Sequence, residues 1–318
     1  MHDTNATSLN VLRTDISRYQ SPNYIQKEKE KIESLGLNYK FQACNEFTPD
    51  ILITNTHTRF DELEKKINLK KIKLIIHPNS GYDNFTPCFL ERFDFPIILG
   101  NEIRAKNVFN YILACFYHAF SYPPFKKQWD PRRKWSRKPV ERLNIQLYGY
   151  GHIGKLVYKS LKENVKNIWI YDPYEGYHQK FIEQSDAIIF CCSLNAHNQY
   201  MCDKSFFERI QSSTVLINAA RGKLINFDAL TNYLSKNLES KAYIDVFETE
   251  PYPLETLENL TNLFTSSHIA GVSFDLDEKI LSFCLNVLRD YLISEEISFM
   301  RKYSHVLIDS KYKNNQLI

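Results

Sequence analysis

This sequence predicts an α/β protein of two domains, each built on a parallel sheet with crossover helices, with a cleft between them. Two observations carry that reading. The chain has 318 residues, and at roughly 150 residues per domain it outgrows a single hydrophobic core. Short apolar runs also alternate with charged, amphipathic stretches in two successive series, the pattern of parallel strands joined by helices.

The first series runs from Leu9 to about Gly100 as NVLRTD, YIQKEKEKIESLG, DILITN, FDELEKKINL and KIKLIIHP. Its last apolar run enters HPNSGYDN, where Pro78, Asn79, Gly81 and Asn84 make a turn-rich loop. Such a loop at the carboxyl end of a parallel strand is where these sheets bind ligands. Residues 104–120 read as a long apolar helix stopped by Pro123 and Pro124. The second series begins at Asn144 with NIQLYGYGHIG and a helix to about Glu163. It continues as NIWIYD, DAIIFCCS, TVLINAA, KAYIDVF and NLFTSSH, apolar runs bounded by turns or helices as buried parallel strands require. An amphipathic helix over about Asp275 to Ile293 and a mixed tail to Ile318 follow.

Composition narrows the class. With 43% hydrophobic and 24% charged residues, the chain is of the ordinary globular kind, not disordered or fibrous. No apolar run reaches the ~18 residues of a membrane span, and the opening MHDTNATS is polar, so neither anchor nor signal peptide is expected. Asn5-Ala6-Thr7 fits a glycosylation acceptor, which has meaning only in a secreted chain. Seven cysteines without a CxxC pair read as reduced thiols in a cytoplasmic protein, and no metal is expected. Lys126, Lys127, Arg132, Arg133, Lys134, Arg137 and Lys138, interleaved with Trp129 and Trp135, fit a nucleic-acid patch or a solvated connecting arm. The net charge of +3 and the lack of a nucleic-acid motif favour the arm.

Gly149-Tyr150-Gly151-His152-Ile153-Gly154 gives G-x-G-x-x-G between a strand-like run and a helix. The chemistry needs that order: Gly149 for the tight turn, Gly151 for backbone approach to a pyrophosphate, Gly154 for helix–sheet packing. The helix N-terminus then offers N–H groups and a positive dipole end to the phosphates. Asp172, 21 residues after Gly151 and at the end of NIWIYD, is placed for the ribose hydroxyls. Pro173 and Tyr174 follow it, not an arginine for a 2′-phosphate, so NAD is expected rather than NADP.

NAARG at 218–222, DVFETEP at 245–251 and SSHIAG at 266–271 all fall at predicted strand ends, which puts Arg221, Asp245, Glu250 and His268 on the cofactor edge. Reduction of a 2-keto acid needs a hydride, a proton for the carbonyl oxygen and cationic donors for the carboxylate. Arg221 offers a planar fork, His268 an acid–base group, and Glu250 a partner that orients the imidazole. Each residue alone has a structural reading as an ion pair or a satisfied histidine. Their order after a nucleotide fold gives them a joint meaning.

These stretches, with SGYDN and YDP, resemble the D-isomer-specific 2-hydroxyacid dehydrogenases over about residues 74–290. The resemblance implies two Rossmann-like or flavodoxin-like α/β domains with an active-site cleft between them. It assigns residues 1–103 plus 290–318 to substrate binding and 104–289 to NAD. It implies Arg221, Glu250 and His268 as catalytic residues acting on a small D-2-hydroxy acid and its 2-keto acid. Ser80 and Gly81 would give N–H groups to the substrate carboxylate, and Asp245 would bond the nicotinamide amide. Ala219 and Ala220 would line the nicotinamide pocket, with Cys192, Ser193, His268 and Gly271 also on the cofactor. A homodimer is implied as well. The chain departs from the family in having Val108-Phe109-Asn110 for Val-Ala-Glu and Ser267 for the proline before the histidine, and Glu250 separates it from formate dehydrogenases, which carry Gln. A corepressor-like NAD(H) sensor on the same fold is the alternative. Arg104 has two readings, a receptor for an anionic substrate tail or a surface charge at a helix start.

Overall fold

The computed structural model describes residues 8–44 and 46–308; the Asn5-Ala6-Thr7 tripeptide and the end of the tail from 309 lie outside the described residues. The strands, in chain order, are β1 (Asn10–Arg13), β2 (Asn38–Phe41), β3 (Ile51–Ile53), β4 (Leu74–His77), β5 (Ile97–Leu99), β6 (Asn144–Tyr148), β7 (Asn167–Tyr171), β8 (Ala187–Phe190), β9 (Val215–Asn218), β10 (Lys241–Ile244), β11 (Leu263–Thr265) and β12 (Leu307–Ile308). The chain divides into two compact units, one of residues 1–104 and 273–318, the other of residues 105–272.

The first unit holds a six-stranded sheet ordered β12-β5-β4-β3-β1-β2. Its strands are parallel, with Leu12 opposite Leu52 and Ile76 opposite Ile98, save that β12 runs antiparallel to β5. The central strands β3 and β4 are buried along their whole length, as strands covered on both faces are, and both are aliphatic runs. Strands β2, β5 and β12 went unread in the sequence: NYKF has the polar content of an edge, and the other two are very short. The stretch FDELEKKINL gives only the short helix Phe60–Leu63 and a 3₁₀ turn at Leu69–Lys71.

The second unit's six strands are all parallel, ordered β11-β10-β9-β8-β6-β7. Helices cover both faces. Helix Asn101–Ser121, which carries the chain from one unit into the other, and helix His152–Leu161 cover one face through Ile112, Phe116, Val157 and Leu161. Helices Lys204–Arg209 and Phe227–Lys236 cover the other through Phe206, Phe207, Leu230 and Leu234. The basic segment that follows Ser121 forms neither helix nor strand until Val140; Trp129 and Trp135 are exposed, with Arg133 and Arg137 over their rings. No helix of the described residues is long and apolar enough to cross a membrane.

The observed boundary corrects the expected one. Helix Leu276–Ile293 was assigned to the nucleotide-binding domain, but its buried Leu276, Ile280, Leu281, Cys284, Leu285, Val287 and Leu288 complete the core of the first unit, beside Val11, Leu12 and Ile32. Its amphipathic pattern shows that one face is buried and is silent about which sheet buries it.

A buried ion pair ties that core together. Arg13, at the end of β1, donates from Nε to Glu28 Oε2 at 2.9 Å and from Nη2 to Glu28 Oε1. Tyr24 and Tyr39 donate their hydroxyls to the same carboxylate at 2.8 and 2.7 Å. Both charged side chains are essentially inaccessible, at 2% and 0% exposure. Burial pushes the Glu28 carboxyl up, but the charge of Arg13 and the bonds from Arg13, Tyr39 and Tyr24 outweigh it and hold the group below the usual range. Its contribution to stability is therefore full above the ordinary carboxylate pKa and is lost as pH falls through the depressed folded value. We expect Glu28→Gln, which strands the Arg13 cation, to cost about 3–5 kcal/mol in urea denaturation at neutral pH. The deficit should shrink in acid, and an unchanged midpoint would show the pair to be dispensable.

Candidate active site

In the second unit the chain order reverses at β6, which lies between β7 and β8. Ligands of open parallel sheets bind at the carboxyl ends of strands at such a point. The glycine turn sits there, and its three glycines answer to different demands. Gly149 has φ +93°, and a Cβ on it would stand 2.5 Å from Cys192 N. A Cβ on Gly154 would stand 2.1 Å from Gly149 O, so the helix could not close on the turn. A Cβ on Gly151 would meet nothing within 4 Å, and its φ of −74° is open to any residue. The protein's own packing does not require that glycine. Its bareness clears the space before the first turn of helix His152–Leu161, where His152 is exposed and Ile153 half-buried, and a pyrophosphate fits that space and that helix end.

Asp172, at the end of β7, is half-buried and binds the turn directly: Oδ2 accepts from Tyr150 N–H at 2.7 Å and Oδ1 from Tyr174 N–H at 3.1 Å. Each oxygen keeps a second lone pair for a ribose hydroxyl. Nearby, Lys155 is paired with Glu175 at 3.2 Å and Lys180 lies over the Tyr171 ring at 4.1 Å. Cys191 N–H donates to Tyr148 O at 2.7 Å, and Cys191 and Cys192 form the wall against Gly149. Burial pushes both thiols up, Cys192 to about 12, so they serve as neutral packing and not as nucleophiles. Ser193, next along, is exposed.

At the end of β9, the buried Asn218 closes the turn that follows: its Nδ2 donates to Arg221 O at 2.9 Å and its Oδ1 accepts from Ala220 N–H at 3.0 Å. Ala219 and Ala220 are half-buried at this edge, and Arg221 Nη1 donates to Ala220 O at 2.7 Å. Gly222 is then pressed on the next loop, since a Cβ there would lie 2.0 Å from Phe247 C. That contact brings Arg221 within electrostatic range of Glu250.

Glu250 Oε2 lies 2.8 Å from His268 Nδ1, and its Oε1 accepts from Phe247 N–H at 3.0 Å. Partial burial pushes the carboxyl up. The hydrogen bonds from His268 and from Phe247 N–H, with the charges of His268 and Arg221, overcome that and hold it below the ordinary range. An ionised carboxylate only accepts, so Nδ1 of His268 carries hydrogen, and Nε2 of this 58% exposed side chain is the atom free to exchange a proton.

His268 itself has φ +54°, a left-handed conformation uncommon for a residue with a side chain. Asp245 holds it there. His268 N–H donates to Asp245 O at 2.7 Å. The Asp245 carboxylate accepts from Ser266 Oγ at 2.5 Å, Ile269 N–H at 2.8 Å and Ala270 N–H at 2.9 Å. Ser266 in turn accepts from the Tyr111 hydroxyl at 2.7 Å, and buried Gly271 accepts at its carbonyl from Asn107 at 3.2 Å. Asp245 was expected on the nicotinamide amide. In this structure it has 0% exposure and fastens the histidine loop.

In the first unit, β4 leads into the loop that carries Ser80 and Gly81. His77 is fully buried beneath it, with Nε2 donating to Gly81 O at 2.8 Å and Nδ1 accepting from the Thr54 hydroxyl at 2.8 Å. Burial, aided by the charges of Arg104 and Arg13, brings this imidazole down to about 4 against the pull of the Gly81 carbonyl, so it is a neutral brace. Asn84 ties the loop's far side to Asn55 O at 3.1 Å and Thr58 O at 3.2 Å. Among the described residues, the backbone N–H groups of Ser80 and Gly81 meet no acceptor.

The expected nucleotide and catalytic residues of the second unit thus gather at one sheet edge. Sequence reasoning passed over Gly222, Asn218, Ser266, Tyr111 and His77, which shape the loops. Gly222 and Asn218 left a trace as the flanks of NAARG, Ser266 as the first residue of SSHIAG and His77 as the first of HPNSGYDN.

The chain is similar in sequence and fold to known proteins. Residues 117–270 match the family described as D-isomer specific 2-hydroxyacid dehydrogenase, NAD binding domain. A glyoxylate reductase of Pyrococcus furiosus is 25% identical over 288 residues, 80% of this chain and 84% of that protein. An erythronate-4-phosphate dehydrogenase of Bacteroides thetaiotaomicron is 27% identical over 271 residues, 79% of this chain and 72% of that one. The crystal structure of D-lactate dehydrogenase from Aquifex aeolicus, complexed with NAD and lactic acid, superposes with a TM-score of 0.72 at 17% identity, covering 94% and 99% of the two chains.

The role found for Asp245 is open to test. Asp245→Asn keeps the volume but removes one acceptor, leaving one of its three donors unpaired. We expect the protein without cofactor to lose about 1–3 kcal/mol, with faster hydrogen exchange at Ile269 and Ala270 than at β9. Unchanged stability and exchange would mean that the carboxylate does not hold this loop.

Proposed function

We infer that the chain is a D-isomer-specific 2-hydroxyacid dehydrogenase, an NAD-dependent oxidoreductase, from the match of residues 117–270 to that family's NAD binding domain and its likeness to dehydrogenases and reductases of the family. From that premise we propose that it interconverts a small D-2-hydroxy acid and its 2-keto acid, with His268 as acid–base, Glu250 as its partner and Arg221 on the substrate. The observation that carries the reading is the His268–Glu250 pair, Nδ1 to Oε2 at 2.8 Å, with the carboxyl held below its ordinary range and the imidazole 58% exposed.

The residues present fit a dinucleotide: a glycine turn bare at Gly151, a helix N-terminus behind it, and Asp172 with lone pairs to spare. When bound, the dinucleotide supplies or accepts the hydride. In reduction, His268 gives its Nε2 proton to the carbonyl oxygen and keeps its Nδ1 hydrogen on Glu250, so the ring ends neutral and oriented. In oxidation the same nitrogen takes the proton. Arg221 presents two parallel N–H donors to the carboxylate and the ketone oxygen, a geometry that lysine does not offer. For Ser80 and Gly81 we propose that their N–H groups receive the substrate carboxylate. Ala219 and Ala220 are proposed to line the nicotinamide pocket, with Cys192, Ser193 and Gly271 also on the cofactor, while Asp245 acts from behind by holding the histidine loop. The reading includes a homodimer and, supported by its free cysteines, a cytoplasmic location. A sensor that only reports NAD(H) would have no use for an imidazole oriented by a carboxylate.

The test mixes purified protein with NADH and a panel of pyruvate, glyoxylate, hydroxypyruvate and branched 2-keto acids. Turnover is expected for at least one, falling to background in Arg221→Ala. His268→Gln should lower kcat by about 10²–10⁴ in both directions, the usual worth of a positioned acid–base group. Reduction should weaken as pH rises and oxidation strengthen, because the two directions need opposite protonation states of His268. Absence of turnover above Arg221→Ala across the panel would defeat the proposal.

A further inference from the structure

We propose that Arg104 and the Tyr19 hydroxyl form a receptor for a second anionic group, so that the preferred substrate is a 2-keto acid bearing a carboxylate or phosphate at its far end. The inference rests on the reading of the chain as a 2-keto acid reductase.

The local structure fixes Arg104 against the Ser80–Gly81 loop. Gly100 N–H donates to His77 O at 2.8 Å and to Asn79 O at 3.2 Å, and a Cβ on Gly100 would lie 2.7 Å from Pro78 C. The start of helix Asn101–Ser121 is thereby seated on the loop. One turn in, Arg104 Nη1 donates to Pro78 O at 2.6 Å and Nη2 to the Tyr19 hydroxyl at 2.8 Å. Both acceptors are neutral. Among the described residues no carboxylate lies within ion-pair distance of Arg104, and the neighbouring Glu102 reaches His305, at 3.9 Å. A half-buried guanidinium without a counter-ion is costly to place, and a bound anion would offset that cost. Of its five N–H donors, three remain for a ligand, and the Tyr19 hydroxyl, having accepted from Arg104, has its own proton to donate.

Spacing adds a second argument. The loop residue that Arg104 grips stands two positions before Ser80, whose N–H, with that of Gly81, has no acceptor among the described residues. Two residues span at most about 7 Å, so the tether of Arg104 and the two N–H groups lie on one short stretch of loop, within reach of a single small dianion. Tyr19 is 48% exposed, so this end of the loop is open to solvent and to an entering ligand. The charge of Arg104 is also felt through the loop, since it helps keep the buried His77 neutral.

The experiment compares kcat/KM for two monoanions, pyruvate and 2-ketobutyrate, with a diacid, oxaloacetate, and a phosphorylated acid, 3-phosphohydroxypyruvate. We expect the native protein to favour at least one dianion over the monoanions by about tenfold or more. Arg104→Met should lower that ratio by about 30-fold or more, with monoanion turnover falling only severalfold as the Pro78 tether is lost. Arg104→Lys should restore part of the ratio by charge, and Tyr19→Phe should lower it by about threefold to tenfold. Whichever dianion responds to Arg104 identifies carboxylate or phosphate as the group received. An equal fall for all four acids would make Arg104 a brace for the loop and overturn the inference, as would the lack of any dianion preference in the native protein. If Arg104→Met does not fold, the ratios in Arg104→Lys and Tyr19→Phe decide. Native turnover of pyruvate without dianion preference defeats this inference alone. Turnover of no 2-keto acid defeats the proposed function with it.

Discussion

The chemistry of this chain depends on a carboxylate that need not touch the reaction. Asp245 lies wholly inside the second unit and accepts from Ser266, Ile269 and Ala270, while its carbonyl holds His268 N–H. Left-handed backbone at a residue with a side chain costs of order 1–3 kcal/mol and persists only where the surroundings over-determine it. Here three donors on one carboxylate supply that constraint, and Tyr111, on the helix behind, steadies the Ser266 link. The imidazole is thus aimed by its backbone before Glu250 fixes its ring. On the other side, Gly222 fits against Phe247, so close steric contact adds to the hydrogen bonds that shape the loops bearing Arg221 and Glu250.

The glycine turn shows how one motif combines unlike requirements. Gly149 and Gly154 are demanded by the fold, since any side chain there would collide with backbone of the turn or of the Cys192 loop. Gly151 is demanded by nothing in the protein, which is what distinguishes a position kept bare for a ligand from one kept bare for packing. Asp172 joins the two functions, because the bond from Tyr150 N–H that shapes the turn also orients the carboxylate.

Much of this was legible in the sequence, for identifiable reasons. Every strand of the second sheet is an apolar run bounded by turns, and the site residues follow those runs at their carboxyl ends. Strand β2 was hidden because NYKF sits at a sheet edge and keeps polar side chains in solvent, and β12 because two residues carry no periodicity. The domain boundary was misplaced because the buried stripe of helix Leu276–Ile293 does not name the sheet it faces. The burial of Asp245 was invisible for a similar reason: a carboxylate at a strand end looks the same in sequence whether it meets a ligand or three of its own chain's donors. Arg13 and Glu28, charged residues at the centre of a core, ran against every compositional expectation.

The interleaving of the two units has a consequence for how the chain is made. Residues 105–272 form one unbroken segment, whereas the other unit closes only when the helix from Leu276 and strand β12 return to the sheet begun at Asn10. On the ribosome the second unit's whole sequence is therefore available while the first still lacks a helix and an edge strand. Its early strands must wait with apolar surface uncovered, and domains that fold as units during synthesis are most exposed to aggregation in that interval.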